Sequence, residues 1–309
     1  MSYYLGIDTS NYTTSASIYD ARSHEIIMQK KLLPVEKNAV GLRQSEAVFS
    51  HIKQLPDIMK ELFKDKQYPL KAICVSKRPR NVEGSYMPAF LVGDTVASCL
   101  ASVLNIPKYE CSHQEGHIVA ALYSANSLNL MKEKFYAFHV SGGTTECLLV
   151  SPNETLFDIS LIAKTLDLNA GQLIDRVGVM LSLDFPCGKA LTELALQSAD
   201  KFKIKPTMKG LDIHLSGVQN QCEDMFHKGM SKQYIARYTI EYVKSAIDNM
   251  TNSIIKEYGK KPFVYAGGVM SNVIIKEHME QKYHGLFAKP EFSTDNASGV
   301  AILGSMMDK

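Results

Sequence analysis

The sequence predicts an α/β protein made of two copies of one βββαβα unit. Three short segments with strand-like apolar patterns open the chain, and the same order of segments begins again near residue 135. A chain of 309 residues can bury two cores, and its 45% hydrophobic and 21% charged residues are typical of a globular protein. We therefore expect two lobes that pack closely around a shared cleft.

The two copies present their elements in the same order. In the first copy we predict strands at about 3–7, 13–19 and 25–31, a helix at 45–64, a buried strand at 72–76 and a helix at 93–104. In the second copy, strands at 135–140, 146–150 and 155–161 precede helices, a strand at 262–267 and a helix from Ser271. This duplication is the arrangement of the actin-like (ASKHA) architecture, in which two ribonuclease-H-like lobes hold a nucleotide.

Composition limits the compartment and the partners. No apolar run is long enough to cross a bilayer and no signal peptide opens the chain, so we expect a cytoplasmic protein without a membrane partner. The six cysteines form no Cys-x-x-Cys pair, which argues against a zinc ribbon and against disulfides. With a net charge of only +2, any polynucleotide would have to bind through a local patch. Two runs are candidates, although such runs are usually solvated surface: Lys77, Arg78 and Arg80, and Lys201, Lys203, Lys205 and Lys209.

His113 and His117 stand four residues apart at the start of a helical stretch. Residues at i and i+4 lie on one face of a helix, so both rings can reach a single ion. Glu115 is at i+2 and points away from that face, unlike the glutamate of the zinc-protease pattern His-Glu-x-x-His. The spacing therefore proposes a metal site and disfavours a peptidase, with two ordinary histidines as the alternative.

Three turns fall where a nucleotide cleft would need them. At the first, Asp8 and Ser10 follow a strand and are the candidate catalytic residues, able to contact a phosphate or its metal. The second, Val140, Ser141, Gly142 and Gly143, has glycines that can take φ > 0 and present amides to an anion, or simply close an ordinary hairpin. In the third, Gly267 and Gly268 precede Asn272 and leave room for a base or ribose, unless the turn only starts a helix capped by Ser271.

These features lie in segments that resemble the TsaD family of tRNA threonylcarbamoyladenosine synthases, formerly called glycoproteases. The matching segments are 113–117, 140–143, 165–177, 186–188, 215–217, 266–272 and 293–297, in collinear order. The resemblance covers nearly the whole chain and implies an actin-like fold. We place the N-terminal lobe at 1–109 plus 296–309, and the C-terminal lobe, with the metal motif and most of the nucleotide site, at 110–295.

The resemblance also assigns residues to roles. His113, His117 and Asp295 would hold one divalent metal, iron or zinc or magnesium, although Asp295 could instead cap the last helix. The nucleotide ligand would be ATP or threonylcarbamoyl-AMP. The turn from Val140 to Gly143 would contact its phosphate side. Asp175 and Gly188 would contact its ribose, and Asn272 would contact its base or ribose. Asp175 has an alternative reading as an ordinary helix-surface residue.

The implied activity is transfer of a threonylcarbamoyl group from threonylcarbamoyl-AMP to the N6 amine of the adenosine 3′ of a tRNA anticodon. The metal would polarise the carbamoyl carbonyl, and no side-chain nucleophile is needed. The implied partners are tRNA, a TsaB-like subunit and a small ATPase, and a homodimer is left open.

The chain departs from the family pattern in two places. The family reads Gly-Ile-Glu-Thr-Ser-Cys-Asp-Glu-Thr at the amino terminus, and Asn11, Tyr12 and Thr13 here remove two acids near the reaction centre. The family's Gly-Pro-Gly-Leu turn is replaced by a basic segment, Ser76, Lys77, Arg78, Pro79 and Arg80. These changes suggest a divergent paralogue. The alternative functions are an actin-fold carbamoyltransferase or kinase that uses ATP or an acyl-adenylate on another substrate, and a catalytically silent nucleotide-binding scaffold.

Overall fold

The computed structural model describes residues 2–10, 12–34, 42–294 and 296–308. It divides into two units. Unit 1 contains Met1–Leu128, Glu154–Leu156 and Glu291–Lys309, and unit 2 contains Asn129–Asn153 and Phe157–Pro290. Each unit holds a five-stranded sheet, so the predicted α/β class and its duplication are confirmed.

Unit 1 contributes strands and helices at both ends of the chain. They are β1 (Tyr3–Asp8), β2 (Thr13–Asp20), β3 (Glu25–Leu32), α1 (Gln44–Leu62), β4 (Leu70–Arg78), α2 (Phe90–Leu104), β5 (Lys108–Ser112), α3 (His113–Ser124) and, at the carboxyl end, the helix Ser298–Met307. The sheet has the order β3-β2-β1-β4-β5, antiparallel from β3 to β1 and parallel from β1 to β5. The sequence analysis missed β5, whose residues mix polar and apolar types without a clear strand pattern.

Helices cover both faces of the sheet of unit 1. Leu5 and Ile7 point to the face where α1 and α2 bury Leu55, Val92 and other apolar side chains. Gly6 points to the opposite face, where a Cβ would lie 2.5 Å from the backbone nitrogen of Ala301. Only glycine therefore lets the carboxyl-terminal helix lie directly on β1.

The structure draws the boundary between the units differently from the sequence analysis, which ended the N-terminal lobe at residue 109. It places His113 and His117 in unit 1. The reason is that β5 pairs in parallel with β4, and α3 follows β5 directly and packs against the carboxyl-terminal helix. A Cβ on Gly299 would lie 1.9 Å from the carbonyl oxygen of Gly116, so the two helices are in backbone contact there.

Unit 2 consists mainly of helices around a second sheet. Its elements are a 3₁₀ helix (Leu128–Lys132), β6 (Phe135–Val140), β7 (Thr145–Pro152), β8 (Phe157–Lys164), α4 (Ala170–Met180), α5 (Gly188–Leu196), β9 (Thr207–Lys209), β10 (Asp212–His214), α6 (Ser216–His227), α7 (Lys232–Tyr258), β11 (Phe263–Ala266), a 3₁₀ helix (Gly268–Ser271), α8 (Val273–Tyr283) and β12 (Leu286–Phe287). A short helix, α9 (Pro290–Ser293), leads to the carboxyl-terminal helix of unit 1, which is α10.

The sheet of unit 2 has the order β12-β11-β6-β7-β8. β6 is parallel to β11, so the carboxyl ends of both strands, at Val140 and Ala266, lie at the same edge. One face of the sheet is covered by helices α4 to α8, which bury one large apolar core. Within the described ranges, no helix combines the length and the apolar run needed to span a bilayer.

Candidate functional site

Asp8 lies at the carboxyl end of β1 and is fully buried. Its carboxylate accepts hydrogen bonds from the hydroxyl of Ser10 at 2.8 Å and from the hydroxyl of Ser76 on β4. Ser10 is itself 1% exposed. The two residues predicted to be catalytic therefore contact each other inside unit 1, and the parallel pairing of β1 with β4 brings Ser76 to them.

Helix α3 starts with a capping box that fixes the position of its first turn. The Ser112 hydroxyl accepts from the N–H of Glu115 at 3.2 Å, and the Glu115 carboxylate accepts from the N–H of Ser112 at 2.5 Å. This reciprocal pair satisfies two backbone donors that a helix start leaves free. Glu115 is thus a structural cap, which agrees with the sequence argument against a peptidase.

The two histidines of α3 meet as the spacing predicted. Their Nε2 atoms are 2.9 Å apart, and the rings are edge to face with centroids 4.3 Å apart. The Nδ1 atom of His113 lies 3.1 Å from Asp8 Oδ2. An ionised carboxylate can only accept, so Nδ1 carries the proton and the Nε2 lone pair of His113 is directed at His117.

This pair fits a divalent metal as far as the described residues reach. Two imidazole nitrogens on one face, one of them held by a carboxylate behind it, are a common donor set for zinc and iron. Across the described ranges, no group of three or more His, Cys, Asp and Glu side chains converges on one point. The predicted third ligand, Asp295, lies outside the described residues.

The described neighbours of position 295 belong to unit 1. Lys30 donates to the Thr294 hydroxyl at 2.8 Å, and the side-chain amide of Asn296 donates to the Thr294 carbonyl at 2.6 Å. Asn296 also accepts from the N–H of Ser298 at 3.0 Å and so caps the start of α10. Since α10 packs on α3, this segment is anchored to the helix that carries His113 and His117.

A second buried polar cluster, which the sequence analysis missed, lies on the α1 side of β2. Thr14 donates to the Gln54 side chain at 2.9 Å, and His51 Nδ1 is 2.8 Å from the same hydroxyl. Because the hydroxyl has one proton, His51 must donate through Nδ1, and its buried Nε2 has no partner among the described residues. Burial lowers the pKa of His51 to about 4 and outweighs the charge of Asp8, which acts in the opposite direction.

The two segments that depart from the family pattern are the residues from Asn11 to Thr13 and the basic run from Lys77 to Arg80. Thr13 is buried in β2 and Tyr12 is half-buried, while Asn11 lies outside the described residues. In the basic run, which begins inside β4, Lys77 makes a two-oxygen ion pair with Glu110 at 2.9 Å. That carboxylate neutralises Lys77, which weakens the hypothesis that Lys77, Arg78 and Arg80 bind an anionic substrate.

In unit 2, the turn after β6 exposes backbone donors. The N–H groups of Gly142 and Gly143 make no hydrogen bond within the described part of the chain. Neither glycine takes the positive φ that the absence of a side chain would allow. The N–H of Ser141 donates to the Thr144 carbonyl at 2.7 Å and closes the turn, while the Ser141 carbonyl accepts from the N–H of Gly171 at 3.1 Å.

Gly171 and Gly267 are the glycines of unit 2 that this edge of the sheet requires. A Cβ on Gly171 would lie 2.6 Å from the backbone nitrogen of Gly142, and one on Gly267 would lie 2.3 Å from the Val140 carbonyl oxygen. Gly267 also has φ +98°, a region that residues with a side chain rarely adopt. The helix start at α4 and the turn after β11 therefore both touch the turn after β6.

The remaining predicted nucleotide residues form a connected set beside these turns. Asp175 accepts from the N–H of Cys187 at 2.8 Å, directly before Gly188. Burial raises the pKa of Asp175. Asn272 donates to the Thr192 hydroxyl of α5 at 2.8 Å and accepts from the N–H of Ile274 at 3.0 Å. Asn272 is thus the cap of α8, and the expectation that Ser271 caps it is wrong.

The two units, each with a five-stranded sheet, define an actin-like protein, and the histidine pair of α3 gives it a candidate metal site. Solved structures confirm the fold. Full-length HypF in its phosphate- and nucleotide-bound form has a TM-score of 0.59 at 15% identity, over 99% of this chain and 55% of that one. Component A of (R)-2-hydroxyglutaryl-CoA dehydratase from Acidaminococcus fermentans has a TM-score of 0.56 at 16% identity, over 100% and 99%.

The chain belongs to the TsaD family. The family model, described as tRNA N6-adenosine threonylcarbamoyltransferase, matches residues 23–302. A protein of that name from Buchnera aphidicola subsp. Schizaphis graminum (strain Sg) is 29% identical over 99% of this chain and 92% of its own length. Another from Nanoarchaeum equitans (strain Kin4-M) is 27% identical over 97% and 92%. The chain is thus a member of a family of transferases.

Proposed function

We propose that the chain transfers a threonylcarbamoyl group from threonylcarbamoyl-AMP to the N6 amine of the adenosine 3′ of a tRNA anticodon. The family match over 23–302 and the names of the relatives support this activity. The observation that carries the proposal is the convergence of the His113 and His117 Nε2 atoms, with the buried carboxylate of Asp8 behind His113.

His113, His117 and Asp295 would hold one divalent metal. Imidazole nitrogen favours iron or zinc over magnesium, which prefers oxygen ligands. When bound, the metal supplies Lewis-acid polarisation of the carbamoyl carbonyl. Asp8, supported by Ser10 and Ser76, keeps the His113 proton on Nδ1 and so acts as a positioning residue.

Unit 2 would hold the adenylate. The exposed N–H groups of Gly142 and Gly143, in the turn that follows Val140 and Ser141, suit its phosphate. Asp175 has one oxygen held by Cys187 and the other without a partner among the described residues, which suits a ribose hydroxyl next to Gly188. Gly267, Gly268 and Asn272 line the place where a base approaches the backbone.

The reaction needs little from side chains. The N6 nitrogen attacks the carbamoyl carbon, the bond from that carbon to the phosphate oxygen breaks, and AMP leaves as the amine loses a proton. Cys187 is no nucleophile, because burial raises the pKa of its thiol. The residues of the chain contribute by orienting the two substrates and by holding the leaving phosphate.

The partners come from the resemblance: tRNA, a TsaB-like subunit and a small ATPase, in the cytoplasm. The test therefore uses a bacterial strain depleted of its own TsaD enzyme, which supplies those proteins. We expect the wild-type chain to restore threonylcarbamoyladenosine in tRNA, measured by mass spectrometry of nucleosides. His113→Ala and His117→Ala should abolish it, whereas the matched control His227→Ala, an exposed histidine of α6, should not.

Elemental analysis of the purified proteins supplies a second readout. Metal should be present in the wild type and His227→Ala, and lost from both α3 variants. Retention of metal in His113→Ala and His117→Ala would remove the metal site from the proposal. A wild-type chain that binds ATP but leaves tRNA unmodified would favour the paralogue alternatives, to which Tyr12 and Thr13 point.

A further inference from the structure

The segment 201–209 of unit 2 alternates strictly between exposed and inward-facing side chains. The inward residues are Phe202, Ile204, Pro206 and Met208, and the residues between them are exposed. In an extended chain, alternate side chains lie on the same side. The exposed side of this segment carries Lys201, Lys203, Lys205 and Lys209, which we call the basic strip.

The inward side chains fix the segment to the long helix α7. Phe202 packs edge to face on Tyr234 and Tyr238, with ring centroids 5.1 and 5.2 Å apart. The N–H of Thr207 donates to the hydroxyl of Tyr242 at 3.3 Å. Residues Thr207–Lys209 then pair with β10. The segment is therefore anchored to α7 and to β10 by its inward side chains and its strand.

The lysine ammonium groups of the basic strip are exposed and can bind an anion. Within the described ranges, none of the four lysines takes part in an ion pair or a hydrogen bond. The nearby carboxylates accept hydrogen bonds from other groups: Asp200 accepts from the hydroxyl of Ser198, and Asp212, opposite Lys209 in the β9–β10 pair, accepts from the N–H of Lys164 at 2.8 Å. By contrast, Lys108 and Lys282 are each bonded to carboxylates.

The strip is continuous with the nucleotide turns of unit 2. Ile213 of β10 forms a bridge with Thr165 and accepts from the N–H of Leu166 at 2.9 Å. The N–H of Thr165 donates to the Thr145 carbonyl at 2.9 Å, beside the turn that exposes Gly142 and Gly143. A polymer that reaches those turns can therefore extend along the strip.

We propose that the basic strip binds the phosphate backbone of the tRNA substrate, an inference that rests on the proposed function. Lysines at every second position of an extended chain are about 6.6 Å apart. That spacing is comparable to the repeat of phosphates along a nucleic-acid strand. Exposed lysine neutralises phosphates without reading sequence, so the strip positions the RNA and leaves recognition of the adenosine to the site.

The test compares two triple variants with the same loss of charge. One is Lys201→Gln/Lys203→Gln/Lys205→Gln, and the control is Lys228→Gln/Lys256→Gln/Lys260→Gln, three exposed lysines of unit 2 that are also unpaired in the described ranges but not aligned. Binding of unmodified tRNA is measured by fluorescence anisotropy between about 50 and 200 mM salt. Each phosphate contact adds about 0.7–0.9 to the slope of log affinity against log salt.

We expect the strip variant to lose about two units of slope and at least tenfold in affinity at 50 mM salt, and the control to match the wild type. If the strip variant and the wild type have equal slopes of log affinity against log salt, the basic strip does not bind tRNA. The proposed function would not be affected by that result. Polyglutamate that binds as tightly as tRNA would overturn the assignment to RNA. His113→Ala should bind tRNA normally, while failure of the wild type to bind tRNA at any salt concentration would count against both proposals.

Discussion

The candidate sites of the two units are built from different materials. In unit 1, the groups that matter are side chains: Asp8, His113 and His117 form a chain of contacts at 3.1 and 2.9 Å. In unit 2, the exposed groups are backbone amides at Gly142 and Gly143, and the closeness of the turns depends on missing side chains at Gly171 and Gly267. One candidate site offers two imidazoles beside a buried carboxylate, and the other offers backbone N–H groups without a partner among the described residues.

A site made of side chains and a site made of backbone groups tolerate different substitutions. A site made of side chains fails when the chemistry of a group changes, even if the shape is kept. A site made of backbone fails when a Cβ is added, even if the added group is inert. Substitutions at each site separate these two behaviours.

Gly267→Ala should be the most damaging single change. The Cβ would lie 2.3 Å from the Val140 carbonyl oxygen, and φ +98° is strained for alanine, so we expect a loss of about 3 kcal/mol or more in the free energy of unfolding. Gly142→Ala is the matched control, because no atom lies within 4 Å of its Cβ and its φ is not positive. Urea denaturation measures both. A stability of Gly267→Ala within about 1 kcal/mol of the wild type would show that this close approach is not needed.

The second prediction concerns pH and His51 in unit 1. Burial lowers its pKa from 6.5 to about 4, so the unfolded chain binds a proton at higher pH than the folded chain. The resulting stability is present above pH 6.5 and is lost as the pH falls to about 4, in total about 3 kcal/mol. Asp175 in unit 2 has the opposite sign, because burial raises its pKa and its contribution is lost as the pH rises.

His51→Gln removes the titrating group while keeping a polar side chain. The free energy of unfolding, measured from pH 7 to pH 4, should fall more steeply for the wild type than for this variant. His227→Ala, which changes an exposed histidine, should keep the wild-type slope. Parallel profiles for the wild type and His51→Gln would mean that His51 does not carry the pH dependence.

The sequence predicted the local features of both sites but not their contacts. Residues four apart lie on one face of a helix, which predicts that His113 and His117 are neighbours. The structure shows these two side chains in contact in α3. The contact between Asp8 and His113 spans 105 positions and exists only because β1, β4 and β5 are parallel neighbours. Since β5 has no clear strand pattern, that neighbourhood, and with it the unit to which α3 belongs, could not be read from the chain.

Contacts between distant segments also decide which glycines the fold requires. The sequence singles out Gly142 and Gly143, because paired glycines can present backbone amides to an anion or close a tight hairpin. The structure requires glycine at Gly171 instead, where the start of α4 meets that turn. His51 was missed for a related reason: one histidine in an amphipathic helix gives no sign that it will be buried against Thr14. The requirement for glycine at position 171 and the burial of His51 both arise from distant segments that the fold brings together.

Asp8→Asn tests whether unit 1 depends on charge as well as shape. The amide keeps the size of the carboxylate but loses the charge that holds the proton on Nδ1 of His113. We expect metal affinity to fall about 10–100-fold, the usual effect of losing such a supporting group. Competition with a chromophoric chelator measures the affinity, with exposed Asp224→Asn as the control.

A nitrogen-15 NMR spectrum of the metal-free protein provides a readout that a purely structural role would not change. The wild type should show His113 protonated at Nδ1, and Asp8→Asn should show a mixture of both tautomers. If the variant keeps both the tautomer and the metal affinity of the wild type, then Asp8 is not the group that positions His113.

The smallest predicted effect concerns Asn272, which was predicted to contact the nucleotide. Its carbonyl oxygen caps α8 and its amide group bonds to Thr192, so Asn272→Ala should lower the free energy of unfolding by about 1 kcal/mol without any ligand. Ser112→Ala is the counterpart in unit 1, where the hydroxyl caps α3, and it should cost about the same. Denaturation without nucleotide compares them. Unchanged stability in Asn272→Ala, with weaker ATP binding, would instead make Asn272 a ligand contact and give unit 2 a site that also depends on side chains.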